Sequence, residues 1–166
     1  ANDADDADSG ANGLLNTLTI DTAVTDGSVL YVSGSYSGAP NTYYRIDVYS
    51  NTSAEPSGAG EGRTWIGTVN MPIGASGSVS GSYSFAGAVA AGAYISATVT
   101  RTDSSYSTYY ETSEFSNHVV AGSPNAVPAG SDGTVNAIED TVYIFTTADF
   151  GFSDSDGDSL RRVWFD

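Results

Sequence analysis

The sequence predicts an all-β protein: a seven-stranded antiparallel sandwich, then a linker, then a short and incomplete β-module. Three observations predict it. Apolar and polar residues alternate with period two in most windows. Clusters of Gly, Pro, Asn and Asp punctuate that alternation. No segment carries a convincing helical repeat, because β-branched residues, serine and glycine are spread through nearly every window.

Taken in order, the first strand falls around Thr17 to Ile20 and the second on SVLYVSGSY, residues 28–36. The third, TYYRIDVYS, sends Tyr44, Ile46 and Val48 inward against Arg45 and Asp47 outward. TWIGTV, residues 64–69, is the fourth. In GSVSGSYSF, Val79, Gly81, Tyr83 and Phe85 face one way, while Ser78, Ser80, Ser82 and Ser84 face the other. AVAAG, Ala88 to Gly92, reads as the single helical turn. GAYISATVT turns Ile95, Ala97 and Val99 inward, and the Tyr/Glu-rich run from Thr108 to Val120 completes the set. Strands with one apolar face in this number pack as two sheets.

The alternation stops at AGSPNAVPAGSDG, where prolines and small residues mark a linker. The expected organisation is therefore an acidic connector over 1–16, the sandwich over 17–121, the linker over 122–133 and a partial module over 134–166. That last piece offers two or three strands bearing Val142, Ile144, Phe150, Phe152, Val163, Trp164 and Phe165, too little chain to close a core alone.

Charge excludes one class of partner. The formal net charge is -15 at pH 7, with only five basic residues, all arginine, so nucleic acid is repelled and cations are attracted. No apolar run is long enough to cross a bilayer, no basic-then-apolar leader precedes Ala1, and the chain reads as an excised or processed segment. There is no cysteine, so no disulfide staples the fold.

The acidic residues are clustered. Asp154, Asp156 and Asp158 alternate around a glycine in FSDSDGDSL, and three carboxylates that close call for a compensating cation, beside the alternative of a solvated acidic turn with no ordered ion. Oxygen-only ligands favour calcium, whereas zinc favours histidine or thiolate, of which the chain has one and none. The spacing is not that of an EF-hand, since the sixth position from Asp154 is Ser159 and the twelfth Phe165. Asp3, Asp5, Asp6 and Asp8 in ANDADDADSGANG form a second candidate calcium cluster beside the alternative of a plain acidic tail.

Catalytic constellations are absent. His118 is the only histidine and reads as an exposed strand-end residue, and no Gly-x-Ser-x-Gly elbow surrounds a serine. Glu111 and Glu114 lie on one strand and cannot flank a sugar from opposite sides; with Glu61, Glu114 is expected to tie loops down or join a metal site. The expectation is a non-enzymatic protein. Tyr106, Tyr109 and Tyr110 are the candidate ligand-binding residues, as exposed rings that stack on glycans or pack on a protein, beside the alternative that alternate tyrosines simply cover the sandwich. Asn51-Thr52-Ser53 is a glycosylation sequon.

YYRIDVYSNTSAEPSGAGEGRTWIG, the strand containing ISATVT, and TSEFSN together resemble an immunoglobulin-like β-sandwich module of large exported bacterial surface proteins, in which it often follows right-handed β-helix repeats. The resemblance spans roughly Leu14 to Val120, and rests most on Ser57, Gly58, Gly60, Glu61 and Gly62 and on Thr112 to Ser116. The insertion carrying Tyr106, Tyr109 and Tyr110 departs from the family's shorter hairpin. Glu139, Asp140 and Thr141, followed by Asp149 to Leu160, resemble the opening third of a bacterial cadherin-like repeat. That resemblance implies calcium at the acidic turns, with Glu139 and Asp140 among the ligands.

Together these imply an extracellular or cell-surface location and a calcium-stiffened structural or adhesive module, whose partners are other modules of the same polypeptide. Two alternatives stand beside it. One is a filament subunit joined head to tail to further copies by β-strand complementation, because the Phe- and Trp-rich C-terminal piece needs cover. The other is a carbohydrate-binding module using the tyrosine segment.

Overall fold

Alternation of side chains decides where the strands run, and in the computed structural model they form two antiparallel sheets enclosing one apolar core. The structure describes Asn2 and residues 11–54, 56 and 60–164. The chain divides into two units, Ala1–Pro124 and Asn125–Asp166.

The first unit holds β1 (Thr19–Thr25), β2 (Val29–Ser37), β3 (Tyr43–Asn51), β4 (Thr64–Pro72), β5 (Ser78–Ala86), β6 (Tyr94–Thr102), β7 (Tyr109–Thr112) and β8 (Val119–Val120). One sheet has the order β1-β2-β5 and the other β4-β3-β6-β7, with β8 on the same β6. Ile20, Leu30, Val32 and Tyr36 meet Tyr44, Ile46, Val48, Met71, Ile95 and Val99 between the sheets. Each such side chain contributes about 1.5–3 kcal/mol when fully removed from water.

Several elements differ from the reading above. β1 continues past Ile20 to Thr25, because Asp21 is skipped at a bulge between Ile20 and Thr22 and its carboxylate stays in solvent. AVAAG forms no helical turn. Ala93 N–H closes onto Ala90 O (3.1 Å) with Gly92 at φ +88°, a tight turn whose third residue favours glycine. β6 is buried on both faces rather than one: besides Ile95, Ala97 and Val99, its Ser96, Thr98, Thr100 and Thr102 are also covered.

The run from Thr108 to Val120 is not one strand. It breaks after Thr112 because serine side chains take over from the backbone. Ser113 N–H donates to Val99 O (2.8 Å) and Ser113 Oγ accepts the N–H of Val99 (3.0 Å). Ser116 does the same with Ala97, at 2.8 and 2.9 Å. Both hydroxyls then donate to the next carbonyl, of Glu114 and Asn117 (2.7 Å each). The buried edge of β6 is thus satisfied without a strand. Asn117 carries on the pattern toward the other sheet, its amide accepting from Ile20 N–H and donating to Ile20 O at 2.9 Å each. Gly122 then lies parallel to Val24, with Thr25 N–H donating to Gly122 O (2.9 Å) and Gly122 N–H to Ala23 O (3.0 Å).

The second unit corrects the expectation of two or three further strands. Among its described residues there is a 3-10 turn, Thr147–Phe150, and one isolated bridge, Ala129 to Ser153, with no strand. Asp149 holds the turn by accepting from the N–H and hydroxyl of Thr146 at 2.7 and 3.0 Å. Tyr143, Phe145 and Phe150 make a small ring cluster. Val127, Ile138, Val142, Ile144 and Trp164 remain exposed, since a strand needs a ladder partner and this segment has none of its own.

Candidate functional site

The acidic turn is built from its first residue. Asp154 Oδ1 accepts the N–H groups of Asp156 and Asp158, both at 3.1 Å, and Gly157 at φ +92° lets the chain fold back. One carboxylate oxygen from each of Asp154, Asp156 and Asp158 then lies within 4.8 Å of the others. Asp154 Oδ2 is enclosed and takes no hydrogen bond from an N–H or hydroxyl. The Asp154 carboxyl is drawn below its ordinary range, first by a hydrogen bond with the Asp156 carboxyl and then by the Asp158 N–H. Two carboxyl groups at that range stay together only by sharing a proton or a cation. Asp156 Oδ2 also accepts the Ala126 N–H (2.7 Å), tying the start of the unit to its acidic turn.

An all-oxygen set of this kind suits a hard cation with an irregular shell. Among the described residues this is the one acidic group so arranged. Glu139 and Asp140 are not brought into it; both are exposed, in a turn where Asp140 has φ +63°. Asp3, Asp5, Asp6 and Asp8 lie outside the described residues, as do Ser57, Gly58 and Phe165.

The three tyrosines do not share a platform. Tyr106, at φ +56° in a loop held by Asp103, packs edge-on against Tyr43. Between the pairs Thr100–Thr112 and Thr102–Tyr109 the register slips, so Tyr110 and Glu111 both oppose Arg101. That bulge lets Glu111 grip the Arg101 guanidinium with both oxygens while Tyr110 stacks on it, 4.7 Å from the ring centre. Tyr109 instead turns to Arg45, whose Nη1 donates to its hydroxyl (3.1 Å).

Sequence reading missed the row that continues from Tyr109. Arg45 Nη2 donates to Asp47 Oδ1 (2.8 Å), which also accepts from Trp65 Nε1 (2.9 Å) and from the Thr68 hydroxyl. Asp47 points outward, as the alternation predicts, but the neighbours across the strand bury it on that outer face, to 9% exposure. Its burial alone would push the carboxyl up, but the bonds from Arg45, Thr68 and Trp65 outweigh that and hold it below the ordinary range. The signal for it was the cross-strand register, which places Thr68 directly opposite Asp47.

Two turn aspartates are shifted the same way. The N–H groups of Val29 and Ser28 lower Asp26, and the Ser105 hydroxyl with the N–H groups of Thr108 and Ser107 lower Asp103. Each of these carboxyls ionises more readily in the folded chain than in the unfolded one. Each therefore adds stability that is complete above the ordinary value of 3.8 and is lost as the pH falls through the lower folded value. The melting temperature is expected to be level above about pH 5 and to fall steadily below it. A profile that stays level down to about pH 2 would contradict this assignment of the bonds.

His118 is half-buried rather than exposed, its ring edge-on to Tyr94 and its Nδ1 enclosed without a partner. Glu61 acts through its backbone, its carbonyl accepting from Asn51 and Ser96, and Glu114 likewise accepts from Ser113 through its carbonyl. Neither side chain joins the acidic cluster. Among the described residues no helix is long and apolar enough to cross a membrane. No model of a known protein family matches the chain, and a search of curated proteins finds none similar to it.

Proposed function

We propose that the chain is a non-enzymatic structural or adhesive module of an exported surface protein, an immunoglobulin-like sandwich followed by a cadherin-like segment that calcium stiffens. One observation carries this reading: one carboxylate oxygen from each of Asp154, Asp156 and Asp158 lies within 4.8 Å of the others, and Asp154 Oδ2 takes no hydrogen bond from an N–H or hydroxyl. Calcium replaces the missing donors and removes the repulsion, and so fixes the turn that the Ala126 N–H joins. Asp3, Asp5, Asp6 and Asp8 belong to the same reading as a second calcium-binding segment before the sandwich. The sandwich supports a passive role, since its two ion pairs among the described residues, Arg45 with Asp47 and Arg101 with Glu111, hold side chains within and between strands.

Calorimetry tests the ion directly. Calcium is expected to bind with release of heat, and Asp156→Asn to weaken it at least tenfold. At a hundredfold excess over its dissociation constant, calcium stabilises the unit that binds it by about 2.7 kcal/mol. An unchanged thermal unfolding profile on adding calcium, and again on adding a chelator, would sink the proposal.

A further inference from the structure

Strands β1 and β5 form the edges of one sheet, and β4 and β7, with β8, those of the other. All but one of these edges are guarded. β1 is bulged at Asp21 and occupied by the Asn117 amide and by Gly122. β4 is bulged opposite Val48 and Tyr49 and ends at Pro72. β7 is four residues long, bulged, and carries Glu111. Bulges, short length, charge and proline are the devices by which sheets refuse further strands. β5, SVSGSYSFA, has none of them: nine residues run in unbroken register against β2, without charge or proline. Among the described residues no backbone group pairs with its outer edge.

The core is thin beside that edge. Val79 and Tyr83 on β5, with Ile66 and Val69 on β4, are only partly covered. Behind them Gly34 and Gly81, paired across β2 and β5, are among the residues lining a narrow apolar cavity of about 20 Å³. An added strand would find a ladder partner and an apolar ledge together.

The same chain carries a segment of the matching kind. Residues 141–146, TVYIFT, are uncharged, rich in β-branched and aromatic residues, and in no strand. Tyr143 and Phe145 pack on each other, while Val142 and Ile144, the alternate residues, are 86% and 79% exposed. Copies with a net charge of -15 repel nearly everywhere. Neither of these two stretches carries a charge, so that repulsion does not act directly between them.

We propose that residues 141–146 of one copy add as a strand to the free edge of β5 in a second copy, seating Val142 and Ile144 against the ledge of Val79, Tyr83, Ile66 and Val69. The two surfaces differ, so the contact is heterologous and propagates into a filament unless the rotation closes a ring. It draws on nothing at the acidic turn and stands apart from the calcium reading. Assembly is expected to strengthen with salt, which screens the repulsion between copies.

Light scattering and electron microscopy on the full chain, across a concentration series at high salt, test it with hydrogen exchange as the locator. The expected result is concentration-dependent assembly in which the amides of Ser78–Ala86 gain protection. The double variant Val142→Asp, Ile144→Asp alters only exposed side chains, so it is expected to fold as before and lose assembly. A TVYIFT peptide added to that variant is expected to protect the same β5 amides, and a scrambled peptide is not. A chain monomeric throughout the series, assembly that survives the double variant, or protection gained elsewhere and not on β5 would each overturn the proposal.

Discussion

Replacing Gly60 with alanine is expected to lower the unfolding free energy of the sandwich by roughly 3 kcal/mol, read as a shift of the denaturant midpoint at unchanged slope. A Cβ at this position would lie 2.0 Å from Ser96 Cβ and 2.8 Å from Ser96 Oγ. Ser96 cannot retreat, because it sits fully buried in the central strand β6. The loop must move instead, and three bonds go with it. Gly60 N–H donates to Ser116 O (2.8 Å), and Glu61 O accepts from both Ser96 Oγ and Asn51 Nδ2. Overpacking of this kind costs about 1–3 kcal/mol, and each stranded buried polar group about 1 kcal/mol or more. Ser96→Gly in the same chain opens the space and is expected to restore part of the loss. A Gly60→Ala chain as stable as the parent would mean that the loop does not rest on β6.

Asp47→Ala is expected to cost about 2–3 kcal/mol by the same measurement. The carboxylate collects donors from Arg45, Trp65 and Thr68 across two strands, and removing it leaves all of them facing an apolar methyl. The Arg45 guanidinium is the expensive one, a charge only 29% exposed whose Nε already lacks a partner. Asp47→Asn keeps one acceptor oxygen and is expected to lose about half as much. The double change Arg45→Met with Asp47→Leu removes the charges together and is expected to recover most of the stability. If Asp47→Ala costs no more than an ordinary surface change, within about 0.5 kcal/mol, the row from Tyr109 to Trp65 is decoration.

Much of the sandwich was legible because its cause is local. Tyr44, Ile46 and Val48, or Val79, Tyr83 and Phe85, face the core by the simple pleat of a strand. What alternation cannot convey is what covers the opposite face. Asp47 and Ser96 are buried there by residues distant in sequence, Trp65 and the loop at Gly60. The split of the Thr108–Val120 run was hidden for a related reason: Ser113 and Ser116 imitate backbone pairing, and the residue types read the same either way. The C-terminal strands failed to form although their composition suits strands, since pairing is a property of two segments and the sequence describes one at a time. At the acidic turn, spacing around one glycine was enough to bring Asp154, Asp156 and Asp158 together, whereas Glu139 and Asp140 depended on chain paths that no spacing encodes.

The parallel run of the last segment beside β1 has a mechanical consequence. Tension applied through residues before Ile20 and after Gly122 pulls these neighbours lengthwise past each other. The Ile20–Asn117 pair and the Thr25–Gly122 and Gly122–Ala23 bonds are then loaded simultaneously, in shear. An antiparallel arrangement of the same bonds would peel open one at a time. A tether built from such units yields only when the whole row ruptures at once.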